Sequence, residues 1–163
     1  MTALKIEDVK AFTSRLFVRE DFDAFLVKEV SIITYNSFTI DGHIRQGYYT
    51  REELEEGGFE ELSTWSMLRP FCFSLIKGKK LPGSFRIVLQ LPRHSLEGFA
   101  EKIGMDAGQI QGLYLNIRYE DGALYCVTGT SMNLFTMDKT LEEEWDRAVK
   151  EFMRSHGIVC TQG

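Results

Sequence analysis

The sequence has little of what membrane, secreted or nucleic-acid-binding proteins usually carry. No apolar run is long enough to span a bilayer, and acidic residues near the start argue against a secretory signal peptide. The three cysteines, Cys72, Cys126 and Cys160, are far apart and odd in number, so we expect reduced thiols and a cytoplasmic location. The net charge of −5 lacks the basic excess of a dedicated nucleic-acid binder. We therefore expect no membrane partner and disfavour nucleic acid.

Linkers and repeats are also missing. The chain has three prolines in 163 residues, no internal repeat and no stretch rich in proline, glycine and serine. Twelve phenylalanines, six tyrosines and two tryptophans supply bulk for a core. We predict one domain over residues 1–163, with a loose tail at residues 158–163.

No catalytic or metal-binding motif is present. The chain has no G-x-S-x-G elbow, Ser-x-x-Lys pair, Walker loop or G-x-G-x-x-G sequence. His43, His94 and His156 have no neighbouring ligand at metal spacing, and His43 has the best local companions, Asp41, Arg45 and Tyr48. The sequence Thr-Gly-Thr-Ser at 128–131 suits an anion, but a bend in a strand is the simpler interpretation. We expect no metal and no cofactor, and the absence of a catalytic motif favours a non-enzymatic protein over an enzyme.

The first 49 residues predict one helix followed by one β-hairpin. Apolar residues at helical spacing indicate a helix over residues 6–17, and residues 25–49 are rich in strand formers. Asp41-Gly42 is typical of a two-residue hairpin turn. That turn places three pairs opposite one another: Ile40 and His43, Phe38 and Arg45, Tyr35 and Tyr48.

The middle of the chain predicts three helices and a strand. Thr50 and Glu53 form a capping box, and the helix that they open ends at Gly57-Gly58. Residues 63–77 have a helical pattern that contains Pro70, so we predict a turn up to Arg69 and a new helix from Pro70. A strand follows over residues 85–91, then a helix capped by Ser95 that ends at Gly104.

The second hairpin has the cleanest pattern. An Asp121-Gly122 turn places Tyr119 opposite Leu124, Ile117 opposite Cys126 and Leu115 opposite Thr128. One face is then apolar apart from Thr128, and the other face carries Tyr114, Asn116, Arg118, Tyr125 and Val127.

A last helix over residues 141–156 completes the predicted fold. We expect a capping box from Thr140 to Glu143 and ion pairs from Glu143 to Arg147 and from Asp146 to Lys150. The chain is thus α+β: an antiparallel or mixed sheet of two hairpins plus one strand, packed against about four to five helices.

Four segments resemble a family of small uncharacterised bacterial proteins, a domain of unknown function. They are residues 38–42, 68–79, 115–122 and 135–139. The resemblance covers nearly the whole chain and implies a bacterial cytoplasmic protein with one full-length domain. It implies no activity, cofactor or catalytic residue.

Three functional hypotheses follow. The first is a non-enzymatic binding module, with a homodimer as one form, that uses Tyr114, Asn116, Arg118 and Tyr125, because tyrosine and arginine are common in contact surfaces. The second is an enzyme or sensor for a small anionic or nucleotide-like ligand held by Arg69, Lys77, Arg86 or Arg118, with His43 or a carboxylate that the sequence does not identify as the candidate catalytic group. The third is nucleic-acid binding through Lys77, Lys79 and Lys80.

Overall fold

Strands with alternating buried and exposed side chains give the sheet one apolar face. A computed structural model describes residues 1–58, 60–77 and 82–163. The strands in it are β1 (Ala3–Ile6), β2 (Leu26–Ile33), β3 (Ser37–Asp41), β4 (Ser84–Gln90), β5 (Ile110–Glu120), β6 (Ala123–Met132) and β7 (Cys160–Gln162). Within the described residues these seven strands form one sheet in the order β3-β2-β4-β5-β6-β1-β7, and each neighbouring pair is antiparallel.

Helices cover the apolar face of the sheet. They are α1 (Val9–Phe17), α2 (Arg51–Gly57), α3 (Trp65–Ile76), α4 (Arg93–Ile103) and α5 (Thr140–Ser155), with short 3₁₀ helices at Gln46–Tyr48 and Ala107–Gln109. All of these except α2 and the 3₁₀ turns bury apolar side chains in the core. The α+β architecture with an antiparallel sheet is therefore confirmed.

Trp65 and Trp145 anchor the helical layer. The Trp65 indole is fully buried and donates a hydrogen bond from Nε1 to the carbonyl of Leu16 at 2.7 Å. The Trp145 indole donates from Nε1 to the carbonyl of Tyr114 at 2.9 Å, which fastens α5 to β5. Each tryptophan thus buries its ring and still satisfies its one donor, the condition under which a core tolerates tryptophan.

The second hairpin matches its prediction in register. Tyr119 lies opposite Leu124, Ile117 opposite Cys126 and Leu115 opposite Thr128. Asp121 and Gly122 both have positive φ, as a type I′ turn requires.

The first predicted hairpin is wrong. The chain between β2 and β3 reverses at residues 34–36, where Thr34 N donates to the carbonyl of Asn36, so Ile40 faces Val30 and Phe38 faces Ile32. Gly42 does not turn the chain. Its N–H donates to the carbonyl of Lys28, and a Cβ built on it would lie 1.7 Å from the carbonyl oxygen of Val27. Glycine is needed there for close backbone approach and not for a hairpin turn.

Both ends of the chain belong to the sheet, which the sequence did not indicate. β1 was not predicted and reaches Ile6, the first residue of the predicted helix, whereas α1 begins only at Val9, after the side chain of Asp8 caps it. β7 pairs with β1, so the loose tail predicted for residues 158–163 is wrong for the strand residues. Ile158 is also buried, which fastens the segment after α5 to the core.

Helix α3 is continuous through Pro70, so the predicted break is wrong. Thr64 caps the helix and accepts a hydrogen bond from Met67 N. Proline removes one backbone donor. The helix is held on both sides of Pro70, because Trp65 and Cys72 are fully buried.

Helix ends account for the remaining differences. The capping box of Thr50 and Glu53 is confirmed, and Gly58 ends α2 with positive φ. Helix α4 begins at Arg93 after Pro92, not at Ser95. At the start of α5 the carboxylate of Asp138 accepts from both N and Oγ1 of Thr140, which replaces the predicted capping box. The predicted pairs of α5 are wrong as well, because Arg147 contacts Glu144.

None of the helices formed by the described residues is long and apolar enough to cross a membrane.

Candidate functional site

The face of the sheet opposite the core helices has half-buried and exposed side chains; we call it the open face. Tyr114, Asn116 and Tyr125 are half-buried on it, and Arg118 is exposed. Their strand neighbours Leu115, Ile117, Leu124 and Cys126 are buried on the other side. The predicted polar-aromatic surface thus exists as one side of the central hairpin.

Strand pairing arranges the open face in rows across the sheet. Arg86 on β4 lies directly opposite Arg118 on β5. The row continues with Ser31 opposite Arg86, Tyr125 opposite Arg118, and Lys5 opposite Tyr125. Five neighbouring strands therefore present hydroxyl, guanidinium, guanidinium, phenol and ammonium groups in sequence, and we call this set the cationic row.

The two arginines of the cationic row differ in their partners. Arg86 Nη2 lies 3.5 Å from Glu29 Oε2. The side chain of Arg118 makes no ion pair or hydrogen bond with any residue that the structure describes. Like charges directly opposite one another on a sheet repel, so this pair is costly unless something neutralises it.

Two shallow hollows flank Arg118. One of about 240 Å³ lies over β2, β4 and β5 and includes Glu29, Ser31, Arg86 and Glu120 in its lining. The other hollow, of about 420 Å³, lies over β1, β5 and β6, and its lining includes Ala3, Ala123 and Tyr125. The side chains of Ala3 and Ala123 are small, so they leave open space in the second hollow.

Tyr114 and Asn116 have neighbours within the chain on the open face. The Tyr114 ring extends over Gly112, since a Cβ on Gly112 would lie 2.3 Å from the phenol oxygen. Lys28 Nζ lies 5.1 Å from the ring centroid, a cation–π distance. The Asn116 amide donates to the Val127 carbonyl at 3.5 Å. Tyr114 and Asn116 thus have contacts within the chain, whereas Arg118 has no hydrogen bond or ion pair with the residues described.

His43 lies at the far edge of the sheet, in an acidic cluster. Its Nδ1 is 2.6 Å from Asp41 Oδ1, and its Nε2 is 3.8 Å from Glu61. Arg45 Nη2 donates to Asp41 Oδ2 at 2.8 Å. The backbone N–H of His43 and then its ring lower the pKa of the Asp41 carboxyl. Asp41 and Arg45 are the companions expected for His43, but the cluster is exposed and separate from the cationic row.

The arginines and lysines predicted to hold an anion do not all converge. Arg69 makes a bidentate pair with Asp23, with Nε and Nη2 donating at 2.8 and 3.0 Å, and its Nη1 donates to the Val18 carbonyl. Lys77 is exposed where α3 ends. Lys79 and Lys80 lie outside the described residues, so the nucleic-acid hypothesis stays a prediction. Only Arg86 and Arg118 of the predicted set share one surface.

The remaining candidates have structural surroundings. Burial raises the pKa of the Cys72 thiol to about 12 and also raises the pKa of Cys126, which disfavours the nucleophilic thiolate. Thr128 lies in a regular strand, where its hydroxyl accepts from Thr2 N at 2.8 Å and donates to Asp146. Among the described residues, no three His, Cys, Asp or Glu side chains form a metal-binding group.

A second histidine cluster was not foreseen. His156 Nδ1 lies 3.0 Å from Asp21 Oδ2, and Arg15 Nη1 donates to the same oxygen at 3.1 Å. Burial alone raises the pKa of Asp21, but these hydrogen bonds outweigh it and the pKa is lowered. The cluster joins the end of α5 to the chain after α1 and has a structural role.

Sequence reasoning also missed part of the open face. Lys5 went unnoticed because β1 was not predicted as a strand. Lys28 and Glu29 lie at a bulge, where the register of β2 against β4 shifts between Val27 and Glu29. A bulge interrupts the alternation on which assignment to a face depends.

The fold and the site define a class: a small α+β protein with a broad antiparallel sheet, helices on one side and a cationic, aromatic face on the other. The chain belongs to DUF5721, a family of unknown function, whose model matches residues 15–160. The expected resemblance to a domain of unknown function is thus confirmed. Neither the search of curated proteins nor the search of solved structures found a match.

Proposed function

We propose that this protein is a non-enzymatic binding module and that its open face associates with a second copy of the chain. The observation that carries the proposal is the side of the seven-stranded sheet opposite the core helices, where Arg118 has no hydrogen-bond or ion-pair partner among the described residues. Tyr114 and Tyr125 add aromatic surface beside it, and tyrosine and arginine dominate contact energies in interfaces.

The extent of the open face supports a second copy as its occupant. Strand spacing and the length of β4 give an area of roughly 700 Å². A stable interface buries about 800 Å² per partner, so the open face is of the required size. Its central rows also include apolar contact area from Val88, Val127 and Ala123.

Charge complementarity also supports a second copy. Arg118 and Glu120 lie two residues apart on the same strand and the same face. In an isologous dimer, a two-fold axis between these positions brings Arg118 of each copy over Glu120 of the other. Two ion pairs then form from one self-complementary patch, and Arg118 gains the carboxylate that it lacks within one chain.

The proposal includes a bacterial, cytoplasmic setting. All three cysteines are free, which suits a compartment that keeps thiols reduced.

Sedimentation velocity over a range of protein concentrations tests the dimer. Wild type should shift from monomer to dimer, and the double variant Arg118→Glu/Tyr125→Ala should stay monomeric. Arg147→Glu, an exposed change on α5, is the control that should dimerise like wild type. A concentration-independent wild-type monomer, or a double variant that still dimerises, would refute the proposal.

A charge exchange sharpens the experiment. Arg118→Glu and Glu120→Arg should each fail to self-associate, because like charges then face one another across the two-fold axis. Their mixture should form a heterodimer, since one chain presents two acids and the other two arginines. If the mixture stays monomeric while wild type dimerises, the open face is not the interface.

A further inference from the structure

The cationic row concentrates positive charge on a protein whose net charge is −5. Arg86 and Arg118 are opposite one another, and Lys5 lies two strands further along the same row. Neighbouring strands are about 4.8 Å apart, so one small ligand can contact both guanidinium groups. Ser31 lies opposite Arg86 on the next strand and adds a hydroxyl beside the arginine pair.

Only part of this charge is neutralised within the chain. Glu29 reaches Arg86 at 3.5 Å, in an exposed setting where ion pairs are weak. Glu120 lines both hollows beside Arg118 but makes no ion pair with it. As far as residues 1–58, 60–77 and 82–163 are concerned, Arg118 therefore keeps its donors available to a ligand.

The chemistry of two adjacent arginines favours a phosphate group over a carboxylate. Each guanidinium presents a planar fork of donors that matches two oxygens of an oxyanion. A phosphate monoester carries about −1.5 to −2 charge at pH 7 and three acceptor oxygens, whereas a carboxylate carries one charge and two oxygens. Only the phosphate can neutralise both arginines and keep an oxygen for a neighbouring hydroxyl.

We propose that Arg86 and Arg118 form a binding site for a phosphate group on the open face, and that its occupation opposes self-association. The site is complete within one chain and stands without a dimer. The competition rests on the proposed function, because Arg118 cannot serve a phosphate and Glu120 of a second copy at once.

Titration calorimetry with inorganic phosphate tests the site. The protein is kept at a concentration where sedimentation shows a single species, so that dimer dissociation does not contribute heat. Wild type should bind saturably, and Arg118→Gln should weaken binding about tenfold or more. Arg147→Gln removes the same charge from α5 and should change the affinity less than twofold. Acetate in place of phosphate should bind much more weakly.

Two variants separate specific recognition from general attraction. Arg118→Lys keeps the charge but loses the fork, so most of the affinity should be lost. Glu29→Gln removes the acid that competes for Arg86, so the affinity for phosphate should rise. A mere effect of net charge would leave Arg118→Lys at the wild-type value. Thermal unfolding of each variant confirms that it is folded.

The possible results distinguish the phosphate site, the dimer and the competition between them. No saturable binding, equal losses in Arg118→Gln and Arg147→Gln, or acetate that binds as tightly as phosphate would overturn the phosphate site. A saturable site in a protein that never dimerises would overturn the proposed dimer and keep the site. If both exist, phosphate should shift the sedimentation profile towards monomer, and a dimer unaffected by saturating phosphate would overturn the competition.

Discussion

Replacing Arg118 with glutamine should make the unliganded protein more stable. Arg118 faces Arg86 on the neighbouring strand and has no carboxylate partner among the described residues. Glutamine keeps the first methylene groups of the Arg118 side chain and removes the guanidinium charge. Within a single chain the change therefore relieves a repulsion and breaks no ion pair, so unfolding is measured at a protein concentration where sedimentation shows only the monomer.

The size of the gain follows from cross-strand energetics. Like charges directly opposite on a sheet cost roughly 0.2–1 kcal/mol relative to neutral pairs. Glu29 already screens Arg86, so we expect a gain in the free energy of unfolding near the middle, about 0.5 kcal/mol. For a domain of this length 1 kcal/mol corresponds to a change in Tm of about 2–4 °C, so Tm should rise by about 1–2 °C.

Urea and thermal unfolding at two salt concentrations check this. The gain should be largest near 0.1 M salt and should almost vanish near 1 M, where the Debye length falls from about 10 Å to about 3 Å. Arg147→Gln loses a pair with Glu144 and should show no gain at either salt concentration. A loss of stability in Arg118→Gln at low salt, or a gain that salt leaves unchanged, would refute the repulsion.

Two further predictions concern the fold around the site. Gly42→Ala should destabilise the protein by about 1–3 kcal/mol in urea unfolding, because its Cβ would meet the backbone oxygen of Val27 at 1.7 Å; Gly47→Ala, in open space, is the control, and equal stabilities would contradict the close approach. The lowered pKa of Asp21 contributes stability that is present above the ordinary carboxyl value of 3.8 and is lost as pH falls through the folded-state value. Wild type should therefore be more stable than Asp21→Asn at neutral pH, with a difference that narrows below about pH 4; a difference independent of pH would contradict this account.

The second hairpin was predictable because its determinants are local. Period-two alternation fixes which side chains face the core, and Asp121-Gly122 fixes the register through positive φ angles. The same dipeptide at Asp41-Gly42 misled the prediction, since there the backbone of β2 passes too closely for any other residue. Whether a glycine serves a turn or a close approach depends on which segment lies against it.

The end strands could not be predicted, because their stability is not local. β1 and β7 are short, and β1 pairs with residues more than a hundred positions away in the sequence. The open face was likewise predictable only as far as local sequence determines it. Its Tyr114, Asn116, Arg118 and Tyr125 follow from one hairpin, but the opposition of Arg86 and Arg118 depends on which strand adjoins β5. Neither β4 nor β5 carries a local sequence signal that the two strands are neighbours.

The contrast between two polar surfaces supports the open face as the functional one. On the solvent side of α5, Arg147 and Arg154 each contact a glutamate three residues earlier, as on an ordinary solvated helix. On the open face Arg118 is left unpaired beside a second arginine, although a serine or threonine there would satisfy the strand and avoid the repulsion. Residues that cost stability without aiding the fold are typical of binding sites. The charge left uncompensated within one chain is the charge that a partner or ligand of opposite sign would neutralise.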